Sequence, residues 1–144
     1  MVNIGSTFIS IESRRSQEGT RLAFQEYLRE SGNAPDSDEA VAWREAYAAE
    51  HPFRRATLEE VLDHFDHIAG LAGIGAVGIG TDYDGVGDSL PVNLMDVASY
   101  PHLIAGLLSR GYSEAEIRGV LSGNLFRVWR AADAYARGEG LDAG

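Results

Sequence analysis

The stretch Gly73–Gly85 reads GIGAVGIGTDYDG, and its middle part, Ala76–Gly80, is short, uncharged and apolar. This pattern predicts a strand that is buried on both faces. Asp82 follows at the carboxyl end of the predicted strand. In α/β barrels and open parallel sheets, that end of the strands carries the chemistry. Asp82 is therefore a candidate functional residue, although an aspartate that only caps a loop fits the same position.

The same stretch contains the spacing G-x-G-x-x-G at Gly73–Gly78, which is the spacing of a dinucleotide-binding fingerprint. In that fingerprint the glycines follow a strand and open a helix, whose N-terminus then faces a pyrophosphate. Here the order is reversed, because a predicted helix precedes the glycines and the strand contains them. The pattern favours glycines that end a helix and allow close packing around a buried strand.

The end of the stretch also resembles a calcium-binding loop. A loop of the EF-hand type that begins at Asp82 has Asp84 at its third position. Its fifth position is Val86 and its twelfth is Asn93, so a side-chain oxygen and the bidentate glutamate are both missing. Calcium binding by Asp82, Asp84 and Asp88 remains a weaker alternative.

The segment before this stretch predicts an amphipathic helix. Thr57 and Glu60 have the spacing of a capping box, and Gly73 has the place of a C-terminal glycine. His64 and His67 lie three residues apart on this helix and could in principle share a metal ion. Both histidines lie away from the apolar stripe, beside two aspartates, so we interpret them as part of a solvated, charge-paired face.

The rest of the chain indicates an α/β protein with a parallel sheet, because predicted strands and helices alternate. The predicted elements are a strand over Val2–Ile11, helices over Glu18–Glu30 and Asp38–Glu50, a helix over Ser99–Arg110 and a helical region from Ser113, with a second capping box at Glu116 and an interruption at Gly123–Asn124.

Composition excludes several classes of function. The net charge of −10 argues against nucleic acid as a partner, because a phosphate backbone requires a basic surface. The absence of cysteine excludes disulfides, thiolate metal sites and a cysteine nucleophile. No apolar run is long enough to span a membrane, and the N-terminus does not have the pattern of a secretory signal, so we expect a cytoplasmic location.

Several ordered motifs resemble the C-terminal portion of the membrane (renal) dipeptidase family of zinc peptidases. The motifs are VLDHFDHI at Val61–Ile68, VGIGTDYDG at Val77–Gly85, LMDVASYP at Leu94–Pro101, RGYSE at Arg110–Glu114, GNLFRV at Gly123–Val128 and MVNI at Met1–Ile4. They cover most of residues 57–130 and the opening strand, whereas residues 12–56 match poorly.

The resemblance implies a (β/α)₈ barrel of the TIM type with two zinc ions, which hydrolyses dipeptides. The family's metal ligands lie on strands upstream of the matched portion. By this resemblance the chain begins at the seventh barrel strand, Met1 is an internal methionine, and no residue of the chain is expected to be a metal ligand. Asp82 takes the place of the family's general acid/base, and Asp84 is expected to hold the loop. Asn3 and Phe8 are expected near the substrate wall.

The resulting prediction is one partial barrel domain over residues 1–144. It consists of a strand over 1–11, a helical insertion over 12–56, the helix, last strand and C-terminal helices over 57–137, and a tail over 138–144. We expect the chain to be inactive alone and to require either the upstream portion of the barrel or self-association, since two strands cannot close a barrel. A non-catalytic binding module that acts through its acidic helical surface is the alternative.

Overall fold

The structure is a computed structural model, and it describes residues 1–138. The predicted tail over 138–144 lies outside the described residues except for Gly138. The described part contains a two-stranded parallel sheet and helices on the long connection between its strands and after them.

The sheet pairs strand β1, Val2–Asn3, with strand β2, Ile79–Gly80. Val2 lies opposite Ile79, and Asn3 lies opposite Gly80. The Val2 amide donates a hydrogen bond of 2.7 Å to the Gly78 carbonyl. Because the strands are parallel, their carboxyl ends lie at the same edge of the sheet.

The predicted strand over residues 1–11 is wrong beyond Asn3. The chain turns at Gly5 into a short helix, α1, Ser6–Ile9, and then into helix α2, Ile11–Ser31. The Ser10 side chain caps α2 by accepting a hydrogen bond of 3.4 Å from the Ser13 amide. Ile4 and Ile9 are buried, as a strand prediction would also require, but Ser10 provides a helix-start signal that outweighs the β-branched composition.

Helix α2 therefore begins seven residues before the predicted Glu18, whereas helix α3, Asp38–Glu50, has the predicted bounds. The two helices pack through aromatic rings. The Trp43 ring stacks on the Tyr27 ring with centroids 4.9 Å apart and on the Tyr47 ring at 4.7 Å. Aromatic stacking thus replaces an aliphatic core in this hairpin.

Helix α4, Leu58–Ala72, has the predicted capping box, with both hydrogen bonds between Thr57 and Glu60 present. Gly73 ends it with a φ of 80°. The remaining helices are α5, Tyr100–Ser109, α6, Glu114–Arg118, and α7, Asn124–Ala136, with a π-helical turn at Gly119–Gly123 and 3₁₀ turns at Ile74–Ala76, Gly87–Ser89 and Val97–Ser99.

The core lies between α4, α5 and the strand pair. Its buried side chains include Val2, Ile4, Val61, Leu62, Phe65, Val77, Leu94, Leu103, Leu107, Ile117 and Val120. Among the helices of the described part, none combines the length and the apolar character needed to cross a bilayer.

Candidate functional site at the carboxyl edge of the strand pair

Asn3 and Asp82 meet at the carboxyl edge of the sheet. Asn3 is the last residue of β1, and Asp82 follows β2 after one intervening residue. The Asn3 amide Nδ2 donates a hydrogen bond of 3.2 Å to Asp82 Oδ2. Residues 79 positions apart in the chain are joined here because the strands run in parallel at matched register.

The Asn3 side chain is oriented by its own backbone. Its Oδ1 accepts a hydrogen bond of 2.9 Å from the Gly5 amide. An asparagine amide has one accepting and one donating end, so this bond directs the Nδ2 donor toward Asp82. The turn after β1 therefore fixes the side chain that positions the carboxylate.

Asp82 has a left-handed backbone conformation with a φ of 56°. Left-handed residues other than glycine are uncommon, and aspartate is one of the few that tolerate this region. The Asp82 carbonyl accepts hydrogen bonds from the amides of Gly85, at 3.0 Å, and Val86, at 3.3 Å. These bonds close a tight turn that holds the carboxylate at the sheet edge.

The turn requires glycine at position 85. A Cβ atom at Gly85 would overlap the Oδ1 atom of Asp82, so the carboxylate lies directly against the backbone of its own turn. The sequence analysis did not identify Gly85 as a site residue. Its spacing of three residues from Asp82 is the only signal, and this spacing indicates a turn without showing where the side chain lies.

Tyr83 anchors the loop. Its hydroxyl donates a hydrogen bond of 2.7 Å to the Asp96 carbonyl. Burial raises the pKa of Tyr83, and the nearby Tyr100 and Asp96 raise it further. Asp84, for which the resemblance implied this role, is exposed, and within residues 1–138 its side chain makes no hydrogen bond.

Phe8 lies on α1 beside the same turn, with 56% of its surface exposed. A Cβ atom at Gly5 would lie 3.1 Å from Phe8 Cδ2, 3.4 Å from Asn3 Oδ1 and 2.9 Å from Val86 Cγ1. Phe8, Asn3 and Val86 therefore surround one glycine. A role for Asn3 and Phe8 in binding substrate remains a prediction.

The described residues contain no group of three or more His, Asp or Glu side chains that could hold a metal ion. The cluster Asp82, Asp84 and Asp88 forms no such group, which leaves the calcium alternative without support. The zinc ions of the family likewise find no fitting set of ligands in residues 1–138.

The charge-paired face predicted for the α4 histidines needs correction. Nε2 of His64 lies 2.8 Å from the Ile9 carbonyl, so this half-buried ring joins α4 to α1. Asp63 and Asp66 pair with Arg110 instead of with the histidines. His67 is exposed.

Comparison with known proteins identifies the family. The sequence profile of the family described as membrane dipeptidase (Peptidase family M19) matches residues 1–142. The chain belongs to the membrane dipeptidase family. This family comprises zinc-dependent metallopeptidases with a TIM-barrel type of fold, so the resemblance seen in the sequence motifs is confirmed.

Individual relatives match a shorter segment. The chain is 53% identical over 78 residues to Dipeptidase 3 of Macaca fascicularis and 51% identical over 78 residues to Dipeptidase 3 of Homo sapiens. In both cases the matched segment covers 54% of this chain and 16% of the relative. The match thus spans a small part of the length of these dipeptidases.

Proposed function

We propose that this chain forms the last two strand–helix units of a zinc-dependent dipeptidase barrel and supplies Asp82 as its general acid/base. The observation that carries the proposal is the hydrogen-bonded pair of Asn3 and Asp82 at the carboxyl edge of two adjacent parallel strands. In barrels of this type, reacting groups stand at that edge.

The proposed chemistry is hydrolysis of a dipeptide. The Asp82 carboxylate accepts a proton from the attacking water molecule and then gives it to the nitrogen of the leaving amine. The bond between the carbonyl carbon and this nitrogen breaks, and two amino acids are released. The hydrogen bond from Asn3 and the close approach to Gly85 restrict the carboxylate to one orientation, which is the positioning that proton transfer requires.

The zinc ligands of such an enzyme must come from outside residues 1–138, because these residues bring no suitable group together. Each strand of the pair also has a hydrogen-bonded neighbour on one side only within the described part of the chain. We propose that the remaining barrel strands, which carry the metal ligands, pair with these open edges. The chain is then inactive alone.

A non-catalytic binding module is the alternative function. The observation that favours it is the apolar side of α7, where Trp129 is 63% exposed and no residue is buried. Such a module would bind its partner whether or not Asp82 is intact, so the two functions differ in their dependence on this residue.

The test uses a chimera in which residues 1–144 replace the C-terminal portion of Dipeptidase 3 of Macaca fascicularis, behind the portion that precedes its matched segment. Hydrolysis of a panel of dipeptides is measured in the presence of zinc. We expect the chimera to hydrolyse dipeptides and Asp82→Asn to lower kcat by about 10²- to 10⁴-fold.

Asp84→Asn is the matched control, because Asp84 lies on the same loop without a hydrogen bond in the described residues. We expect its kcat to stay within about tenfold of the parent value. A folded chimera whose kcat is equal with and without the Asp82 carboxylate would contradict the proposal.

A further inference from the structure

A surface pocket of about 290 Å³ opens beside the turn that carries Asp82. Its lining residues come from three parts of the chain and are Gln17, Phe53, Arg55, Val86, Asp88 and Ser89. The volume is close to the lower limit for small-molecule sites and suits a group of the size of one amino-acid residue.

Val86 connects this pocket to the candidate acid. Its amide donates to the Asp82 carbonyl at 3.3 Å, and its Cγ1 atom packs against Gly5, next to Asn3. The pocket and the carboxylate therefore share one turn. A ligand that lies with one end in the pocket extends from the same loop that presents Asp82.

Arg55 is the cation of the pocket, and its guanidinium is only partly used. Its Nη1 atom donates to the Leu90 carbonyl at 3.1 Å and lies 3.6 Å from the Met95 sulfur. Within residues 1–138 no carboxylate pairs with it, whereas the adjacent Arg54 pairs with Glu12 at 3.2 Å and Glu60 at 2.7 Å. Nε and Nη2 of Arg55 remain available as donors.

The backbone on both sides of Arg55 is held by buried or half-buried serines. The Arg54 amide donates to Ser16 Oγ at 3.2 Å, and the Ala56 amide donates to Ser6 Oγ at 2.9 Å. Together with the Leu90 contact, these bonds fix where the guanidinium lies. Preorganised donors of this kind lower the entropy cost of binding an anion.

We propose that this pocket binds the free α-carboxylate of the dipeptide, with Arg55 as the main hydrogen-bond donor; the proposal rests on the function proposed above. A guanidinium matches a carboxylate through two parallel hydrogen bonds. The Phe53 ring and the Val86 methyl groups accommodate the aliphatic part of the C-terminal residue. Asp88 repels a second negative charge, so the pocket selects a ligand end with one carboxylate.

The test is a titration of the 144-residue chain, followed by the ¹H–¹⁵N signals of Val86 and Ser89 and by calorimetry. The two ligands are alanyl-leucine and its C-terminal amide, which lacks the carboxylate charge. We expect the dipeptide to shift both signals in a saturable way and to bind at least about tenfold more tightly than the amide. Arg55→Gln is expected to remove this preference.

Two further variants separate recognition from folding. Arg55→Lys retains the charge without the bidentate geometry and is expected to have an intermediate preference. Arg44→Gln changes an arginine that lies on α3, over the Phe24 ring and away from the pocket, and is expected to bind like the parent chain. Equal affinity for dipeptide and amide, unchanged preference in Arg55→Gln, or no saturable shift of Val86 and Ser89 would overturn the proposal.

The outcome is distinguishable from failure of the proposed function. If Asp82→Asn abolishes hydrolysis in the chimera while Arg55→Gln leaves the preference for the carboxylate intact, the pocket proposal alone is wrong. If the chain prefers the dipeptide to the amide through Arg55 but the chimera does not depend on Asp82, the carboxylate site stands and the hydrolytic role of Asp82 is wrong.

Discussion

Asp82 combines an uncommon backbone conformation with an oriented side chain. Its φ of 56° is a region that costs of the order of 1 kcal/mol for a residue without a local polar side chain. Aspartate and asparagine reduce this cost, and both can accept the hydrogen bond from Asn3. The residue type at this position is therefore constrained by the turn as well as by the proposed chemistry.

The backbone at Asp82 predicts an order of stabilities for its variants. We expect Asp82→Asn to change the free energy of unfolding by less than about 0.5 kcal/mol and Asp82→Ala to lower it by about 1–2 kcal/mol, because alanine loses the bond to Asn3 and tolerates a positive φ poorly. Urea denaturation measures both values. Asp84→Ala is the control, since Asp84 has no positive φ, and its value should lie within about 0.5 kcal/mol of the parent. An equal loss in the two alanine variants would contradict the turn geometry.

Sequence reasoning located Asp82 because a carboxylate directly after a buried strand is a readable pattern. It could not identify Arg55, because the pocket that gives this residue its place is formed by segments around residues 17, 53–55 and 86–89. Spacing along one chain does not show which distant segments meet.

At the scale of elements, the capping boxes were predictable and the first strand was not. Both boxes, Thr57 with Glu60 and Ser113 with Glu116, have the two hydrogen bonds that their four-residue patterns imply. These patterns are local, so neighbouring elements change them little. The strand over residues 1–11 was mispredicted because Ile4 and Ile9 suit a strand or a short buried helix equally, and a nearby serine cap decided for the helix.

The close packing of α4 on α5 depends on Gly106. A Cβ atom at this position would lie 2.7 Å from Leu62 Cδ1 and 3.1 Å from its Cδ2, and Leu62 is fully buried. We expect Gly106→Ala to lower the free energy of unfolding by about 1–3 kcal/mol through overpacking. Thermal and urea denaturation measure the change.

Gly70→Ala is the matched control on α4, because a Cβ atom there meets nothing within 4 Å. In an exposed helix position, alanine is expected to stabilise the chain by up to about 1 kcal/mol. A Gly106→Ala variant as stable as the parent would show that the two helices are not in this close contact.

Glu60 makes the start of α4 sensitive to acid. Burial raises the pKa of its carboxyl group, but hydrogen bonds from Arg54, Ser10 and Thr57 outweigh burial and lower the pKa to about 2. Because the folded pKa is below the ordinary value of 4.5, the stabilisation is complete above that pH and is lost as the pH falls toward 2. The Glu60 side chain is 28% exposed, so solvent screening limits the effect to about 1–3 kcal/mol.

Glu60→Gln tests this acid sensitivity. We expect the variant to be less stable than the parent at neutral pH and to lose the part of the pH dependence between about 4.5 and 2 that belongs to this group. Urea denaturation across this pH range measures it, with the exposed Glu45→Gln as a control. An unchanged pH dependence in Glu60→Gln would contradict the hydrogen-bond network.

The whole molecule contains a core, a sheet and a surface that extend toward something beyond the described residues. Its two strands have open edges, and α7 buries no side chain while it exposes Leu125, Phe126, Val128 and Trp129. Leu125 and Val128 line an apolar pocket together with Met1. Apolar patches and unpaired strand edges of this kind are typical of surfaces that another segment covers. In our account, the remaining strand–helix units of the barrel cover them.

The measurement that tests this account most directly is zinc-dependent dipeptide hydrolysis by the 144-residue chain alone and by the chimera with the upstream barrel portion. We expect no hydrolysis above background by the chain alone at any zinc concentration. We expect hydrolysis by the chimera, its loss on treatment with a chelator, and its recovery when zinc is restored. Hydrolysis by the chain alone, or a folded, zinc-loaded chimera without activity, would contradict the account.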